Sequence, residues 1–329
     1  MTEKTVVSSY KRLAWFATIA LAVFCQTHET SAEPLRIGLQ PFLSYAPTFV
    51  ALDKGYFRDE GLDVKTTMIR GGGTAAFNEC ISGQLDICSG AITASFLNAV
   101  IKGVRIKVIA DKGQIRKGHN TNELWVGKTL YDAGLKNAGG LRGKTVATAG
   151  PGSSDWILLG LMLKKYGLSL SNNDVLAALL PGPERPRALE SGTVAGAILV
   201  EPFISSIDHN KAALLTRITD IMPVFQTAVF YARGDFLQKH SQMVRKFLAA
   251  MHKATKLYMQ NPKSDAMLAI LSKYTKVSPS VIRRASPAYF SPDGKIDVPA
   301  VRKTVKFLFD SKLISRSVHL KEFVDKGAM

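Results

Sequence analysis

The sequence predicts an α/β fold of two lobes, each built on a mostly parallel sheet flanked by helices. Short apolar segments alternate with helical ones, separated by glycines, which is the pattern of repeated βα units. The chain has 329 residues, more than one hydrophobic core usually serves. It also passes twice between its two βα regions, and two crossings are typical of a hinged clamshell.

Residues 1–32 have the features of a secretory signal peptide. Basic residues precede the apolar run LAWFATIALAVF (13–24), and the small residues TSA (30–32) offer a cleavage site. The run is too short to span a bilayer comfortably. Bulky residues precede Cys25, whereas lipid attachment there requires small ones. We therefore expect an exported protein without a lipid anchor.

The chain is strongly basic, and its basic residues are scattered along the sequence. The net charge is +17 at pH 7 and the isoelectric point is about 9.8. Lysines and arginines are scattered, without a basic stripe or interleaved aromatic residues, which argues against a nucleic-acid partner. Such a surface attracts small anions or keeps a protein soluble. We expect a monomer that binds no nucleic acid.

Two cysteines, Cys80 and Cys88, remain once the signal peptide is removed. Cys80 lies in a predicted helix and Cys88 in a short apolar strand, so we expect buried free thiols. One disulfide in an oxidising compartment is the alternative. The cysteines and the dispersed histidines do not have the spacing of a metal site. We expect no metal and no cofactor.

The first lobe is predicted to comprise residues 33–118 and 219–329. Its predicted strands are LRIGLQ (35–40), LDVKTTMI (62–69), DICSG (86–90), IKVIAD (106–111) and FQTAVFYA (225–232). Its predicted helices are TFVALDKG (48–55), GGGTAAFNECISG (71–83), ITASFLNAVIKG (92–103) and three C-terminal segments at 241–261, 262–274 and 298–313. The polar stretch 112–123 lacks periodicity and is predicted to be a loop.

The second lobe is predicted to comprise residues 119–218. Its predicted strands are LWVGK (124–128), KTVATA (144–149), VLAALL (175–180) and AGAILV (195–200), and its helices lie at 154–166 and 184–192. The turn GPGSSDW (150–156) connects a strand to a helix. Its two glycines and two serines are suited to a sharp turn that leaves N–H groups exposed at the start of the helix.

The turns that follow the strands are the predicted ligand site. In open α/β sheets, ligands bind beyond the carboxyl ends of the strands, and helix N-termini there favour anionic groups. We expect Phe42, Tyr45, Trp156 and Phe203 to supply flat apolar walls. The candidate ligand-binding residues are Gln40, Phe42, Ser44, Tyr45, Gly72, Gly73, Thr74, Ala91, Ile92, Thr93, Gly152, Ser153, Ser154, Trp156 and Glu201.

Purely structural roles are the alternatives at these positions. Thr74 could be the N-cap of a helix after a sharp glycine turn, and Ser153 with Ser154 could only cap the next helix. Trp156, like Tyr45, could be an ordinary half-buried aromatic residue. Glu201 could pair with an amine on the ligand or only hold the hinge, and of the two we favour the hinge.

Catalytic motifs are missing from the sequence. No turn has the P-loop spacing or the dinucleotide-binding fingerprint, and there is no G-x-S-x-G elbow and no H-E-x-x-H. The sequence thus carries none of these catalytic or nucleotide-binding signatures.

Four separated motifs resemble those of a known family. They are APTFVALDKGYFRDEGLDV (46–64), GGGTAAFNECISGQLDICSGAITA (71–94), LRGKTVATAGPGSSDWILLGLMLKKYGL (141–168) and ALESGTVAGAILVEPF (188–203). In this order they resemble the exported substrate-binding proteins of ABC importers for nitrate, sulfonate, taurine and hydroxymethylpyrimidine precursors. The sequence departs from the family's pattern at 128–142, which leaves the lobe boundary there open.

The resemblance implies a two-lobe, type II periplasmic-binding-protein clamshell. It also implies that seven residues occupy cleft positions: Gln40, Phe42, Tyr45, Thr74, Thr93, Ser153 and Ser154. The implied function is capture of a small, anionic organic ligand (a sulfonate, a carboxylate or a pyrimidine-like compound) in the periplasm and its delivery to an ABC permease with its ATPase.

Two alternatives to transport stay open. One is a ligand-sensing partner of a membrane receptor. The other is an enzyme on the same scaffold, against which both export and the lack of a cysteine-rich motif argue.

Overall fold

The computed structural model describes residues 33–69 and 72–329, with the backbone alone at 72–74. The predicted signal peptide, with Cys25 and the proposed cleavage site, lies outside the described residues. Pro34–Met329 forms one compact unit. Within the described ranges, no helix is long and apolar enough to cross a membrane.

Strands in the described residues form two five-stranded sheets. They are β1 (Leu35–Leu39), β2 (Val64–Met68), β3 (Ile87–Gly90), β4 (Ile106–Arg116), β5 (Asn122–Gly127), β6 (Thr145–Thr148), β7 (Leu176–Leu179), β8 (Gly196–Val200), β9 (Ala212–Arg217) and β10 (Val224–Arg233).

The sheets have the strand orders β2-β1-β3-β10-β4 and β7-β6-β8-β5-β9. In the first sheet, β1 runs parallel to β2 and β3, and β10 runs antiparallel to β3 and β4. In the second sheet, β6 runs parallel to β7 and β8, and β5 runs antiparallel to β8 and β9. Each sheet therefore holds one antiparallel strand among parallel ones, which confirms the predicted α/β class.

Helices flank both sheets. They are α1 (Ala46–Asp53), α2 (Tyr56–Asp59), α3 (Gly72–Ile81), α4 (Ala94–Ile101), α5 (Lys128–Asp132), α6 (Ser154–Lys164), α7 (Arg185–Glu190), α8 (Gly234–Lys239), α9 (Ser241–Gln260), α10 (Asp265–Thr275), α11 (Pro279–Arg284), α12 (Val298–Asp310) and α13 (Leu320–Phe323). The apolar stripe of α9, with Phe247, Ala250, Met251 and Ala254 all buried, packs on the first lobe.

The predicted loop at 112–123 is wrong over most of its length. Strand β4 continues to Arg116, and β5 begins at Asn122. The polar residues of this stretch form strand because β10 pairs with β4 from Ile106 to Arg116, a partner more than a hundred residues away. Strand β9 was not predicted, and it pairs with the edge of β5 in the same non-local way.

Cys80 and Cys88 form a disulfide, so the expectation of free thiols is wrong. Cys80 lies near the end of α3 and Cys88 in β3, and their Cα atoms are 6.0 Å apart. The turn between the two elements folds the helix back onto the strand. Both cysteines are fully buried, as predicted.

The chain's passage between the sheets follows the predicted order. The first sheet takes β1–β4 and β10, and the second takes β5–β9. The assignment of 33–118 and 219–329 to one lobe and 119–218 to the other stays a prediction.

Helix α12 contacts helix α6, which flanks the second sheet, as well as elements of the first lobe. The Phe307 ring packs against the Trp156 ring of α6, with 5.8 Å between centroids, and Lys164 pairs with Asp310 at 3.2 Å. Gly160 of α6 lies directly under the Phe307 ring, so that a Cβ there would overlap its tip. The two helices approach closely because this position has no side chain.

We expect Gly160→Ala to lower the free energy of unfolding by about 1–2 kcal/mol, although alanine normally favours a helix interior by about 1 kcal/mol. The added methyl group meets a buried ring that must shift. In the Phe307→Leu background the same change should be neutral or stabilising, since the overlap is relieved. Urea denaturation of the four proteins in this cycle measures the coupling, and a Gly160→Ala variant more stable than its parent would contradict this packing.

Candidate functional site

The carboxyl ends of the two sheets meet at a direct backbone contact. The N–H of Ala94, at the start of α4, donates to the carbonyl oxygen of Gly152 in the turn before α6, with 3.3 Å between N and O. Gly152 has a φ of +73°, and a Cβ built on it would lie 2.7 Å from the Cβ of Ala94. The turn from the second lobe is therefore seated against a loop of the first.

Helix α6 begins at this contact, and the N–H groups of its first two residues lack hydrogen-bond acceptors among the described residues. Ser153 is the N-cap, and its hydroxyl oxygen accepts from the N–H of Trp156 at 3.2 Å. The N–H groups of Ser154 and Asp155 have no acceptor among the described residues. Because Ser153 uses only an acceptor position, its O–H remains available to donate. The turn presents donors at the positive end of a helix dipole.

Helix α4 begins in the same way on the other side of the contact. Thr93 is its N-cap and accepts from the N–H of Phe96 at 3.2 Å. Thr93 and Ala91 are half-buried, whereas Ile92 is buried in the core of the first lobe. Of these three predicted residues, Ala91 and Thr93 keep partly exposed surface in this loop, and Ile92 anchors it.

A buried ion pair neutralises the acid in the first turn of α6. Asp155 accepts from Arg185 of α7 at 2.6 Å and from the side-chain amide of Asn122 at 3.3 Å. Arg185 also donates to the carbonyl oxygens of Leu180 and Ile198. A carboxylate at this place would otherwise repel an anion, and its pairing removes that repulsion. Sequence reasoning left Arg185 without a role, since the pairing joins separate βα units.

Tyr45 and Gln40 belong to a buried hydrogen-bonded chain in the first lobe. The hydroxyl of Ser89 donates to the Tyr45 oxygen at 3.0 Å, and the Tyr45 hydroxyl donates to Gln40 Oε1 at 3.4 Å. Burial raises the pKa of Tyr45 to about 12, so its hydroxyl stays protonated. This chain fixes the end of β1 beside β3. Ser89 was missed from the sequence because it lies within a predicted strand.

Two aromatic rings from different lobes contact each other. Phe42, after β1, and Phe203, after β8, pack edge to face with 6.4 Å between centroids. Gly182 lies beside both rings. Both side chains are half-buried, so each lobe contributes apolar surface to this contact.

Trp156 is part of the core rather than a wall of the cleft. Its ring is 4% exposed and packs on Phe307, a residue too distant in sequence for this contact to be foreseen.

The Glu201 carboxylate is engaged by protein groups. It accepts from the N–H and hydroxyl of Ser205 and from the N–H of Ser286. It thereby ties the end of β8 to the C-terminal segment, in agreement with the hinge alternative.

Three other predicted site residues, Gly72, Gly73 and Thr74, lie at the start of α3. Helix α3 begins at Gly72, so Gly73 and Thr74 lie in its first turn and Thr74 is not the N-cap. Ser44 follows β1 but lines a cavity inside the first lobe. No group of three or more histidine, cysteine or acidic residues in the described ranges could hold a metal ion.

A family profile matches this chain over residues 28–272, and that family is described as NMT1-like. The chain belongs to the NMT1-like family. The match includes the four motifs from which the resemblance was inferred, and the resemblance is confirmed. The profile ends before α12, so the contact between α12 and α6 is not part of what identifies the family.

Several known proteins similar to this chain are named as binding proteins. A Bacillus subtilis (strain 168) protein provisionally named an aliphatic sulfonates-binding protein is 27% identical over 320 residues, 94% of this chain and 92% of that protein. The alkanesulfonate-binding protein SsuA from Xanthomonas axonopodis pv. citri, bound to MOPS, matches 89% of this chain and 99% of its own at a TM-score of 0.71 and 18% identity. The periplasmic nitrate-binding protein NrtA from Synechocystis PCC 6803 matches 88% of this chain and 86% of its own, with a TM-score of 0.72 and 13% identity. At these identities the structures establish the two-lobe periplasmic-binding fold.

We expect Ser153→Ala to lower both stability and affinity for an alkanesulfonate. Loss of the cap costs about 1 kcal/mol of folding free energy, and loss of a donor to a charged group weakens binding roughly tenfold. Ser264→Ala is the matched control, because Ser264 caps α10 through the same bond to Met267, away from the cleft. Thermal unfolding and calorimetric titration separate the effects. If Ser153→Ala binds as the parent does while melting as early as the control, Ser153 is only a cap.

Proposed function

We propose that this protein is an exported solute-binding protein that captures a small organic anion between its lobes and delivers it to an ABC importer in the membrane. The observation that carries the proposal is the meeting of two capped helix N-termini, α4 and α6, at the contact between Ala94 and Gly152. Helix N-termini with free N–H groups favour anionic groups. Membership of the NMT1-like family and the sulfonate-binding and nitrate-binding relatives support it.

The expected ligand is a sulfonate or carboxylate with a short apolar body. The N–H groups of Ser154 and Asp155, with the hydroxyls of Ser153 and Thr93, provide several donors and no free charge. Such a site suits a delocalised anion that accepts several hydrogen bonds. The Phe42–Phe203 pair offers apolar surface to the rest of the ligand. Closure of the lobes would remove water and strengthen these bonds.

The partners follow from this role. We propose a periplasmic, monomeric protein that binds a permease with its ATPase only when a ligand occupies the cleft. A ligand-sensing role would use the same cleft, so the identity of the membrane partner distinguishes it from transport.

Calorimetry with three matched probes tests the ligand class: butane-1-sulfonate, butanoate and neutral butanamide. We expect at least one anion to bind and the amide not to bind, because the N–H groups at the helix N-termini stabilise negative charge. Small-angle X-ray scattering on the same samples should show a smaller radius of gyration only with the binding anion. Equal binding of the amide would contradict the anion site. Tight anion binding with an unchanged scattering curve would contradict capture by lobe closure.

A further inference from the structure

A second recess lies inside the first lobe, away from the contact between the lobes. The cavity has a volume of about 220 Å³, and none of its lining residues comes from 119–218. Strand β4 forms one wall, helices α1 and α9 form two more, and the segment after Phe290 closes the fourth. The volume is below the range of roughly 300–1,000 Å³ that is typical of drug-sized ligands. Only a small molecule would fit.

The one buried lysine among the described residues lines this cavity. Lys112 of β4 is 3% exposed, and its Nζ has no carboxylate within ion-pair distance among the described residues. The Nζ atom lies 3.5 Å from Ser44 Oγ and 3.2 Å from the centroid of the Tyr45 ring. Burying an ammonium group with so few partners is costly. Burial accordingly lowers the pKa of Lys112 well below its usual value.

The carboxylate of Asp111, the residue before Lys112, already accepts hydrogen bonds from other groups. Its carboxylate accepts from the Gln226 side chain at 2.7 Å, from the N–H of Gly113 at 3.1 Å and from the N–H of Ser291 at 2.8 Å. These bonds hold the segment around Ser291 in place as a wall of the cavity. Asp111 acts on Lys112 only through the field of its charge.

The rest of the cavity is largely apolar. Ile109, Phe230, Leu248, Met251 and Phe290 line it, with His252 and Asp293 among the charged or titratable residues at its margin. His252 is exposed on α9, and Asp293 is held by Ser291 and Lys295. The cavity thus combines one buried amine at the Ser44 end with apolar side chains along its walls.

We propose that this cavity is a second ligand site, and that it binds a small monocarboxylate whose carboxylate pairs with Lys112 and Ser44 while its apolar body lies against Met251 and Phe290. An inorganic anion would leave the apolar walls without a partner, and a neutral apolar molecule would leave the lysine unpaired. The site is separate from the cleft between the lobes, so its occupant need not be the transported solute.

Benzoate and neutral benzamide are the probes, applied to the mature chain with ¹³C-labelled methionine methyl groups. Benzoate should shift the Met251 methyl resonance, and Met162, buried on α6, serves as the control that should not move. Benzamide should cause little shift. Lys112→Met should weaken the benzoate affinity read from the Met251 methyl shift roughly tenfold to a hundredfold, while Ser264→Ala should leave that affinity unchanged.

Two further measurements keep the test decisive. Lys112→Met should melt no earlier than the parent, because it removes an unpaired buried amine; earlier melting would assign the lysine a structural role and contradict the proposal. Thr255→Phe narrows the cavity from α9 without touching the lysine and should also abolish the Met251 shift. A Met251 shift by benzoate that survives both substitutions, or that is matched by benzamide, would overturn the proposal.

Discussion

The close approach of Gly152 to Ala94 is the constraint on which the site depends. At this point two helices from different sheets begin against each other, and their first N–H groups need partners. A side chain at Gly152 would have to adopt an unfavourable φ and displace Ala94, so the loops could not meet. Without that contact, the donors of α6 would face solvent rather than a cleft shared by both lobes.

Charge balance around that contact explains how the proposed anion site tolerates an acid in its first helical turn. Asp155 lies where a ligand's negative charge would be placed, yet Arg185 and Asn122 satisfy its carboxylate inside the second lobe. The net field at the turn is therefore set by backbone N–H groups. Backbone N–H groups at a helix N-terminus favour negative charge without specifying one headgroup.

Local patterns predicted the parts of the molecule that depend on neighbours in sequence. The βα alternation was predicted correctly, and the alternative that Ser153 caps a helix agrees with the structure, because a strand end and the helix after it are adjacent in sequence. Non-local packing was not predictable. Trp156 is buried by Phe307 of α12, and Lys112 lies in a strand because β10 pairs with β4. The disulfide likewise depends on how α3 folds back on β3, which spacing alone left open.

The backbone amides of Ser154 and Asp155 provide the most direct test that α6 grips an anion. In ¹H–¹⁵N spectra of the mature chain titrated with butane-1-sulfonate, both amide protons should move downfield as they begin to donate to the sulfonate. The amide of Asp265, at the start of the similarly capped α10, should not move. If the sulfonate binds while the Ser154 and Asp155 resonances stay where they were, the turn does not hold the ligand and the account of the site is wrong.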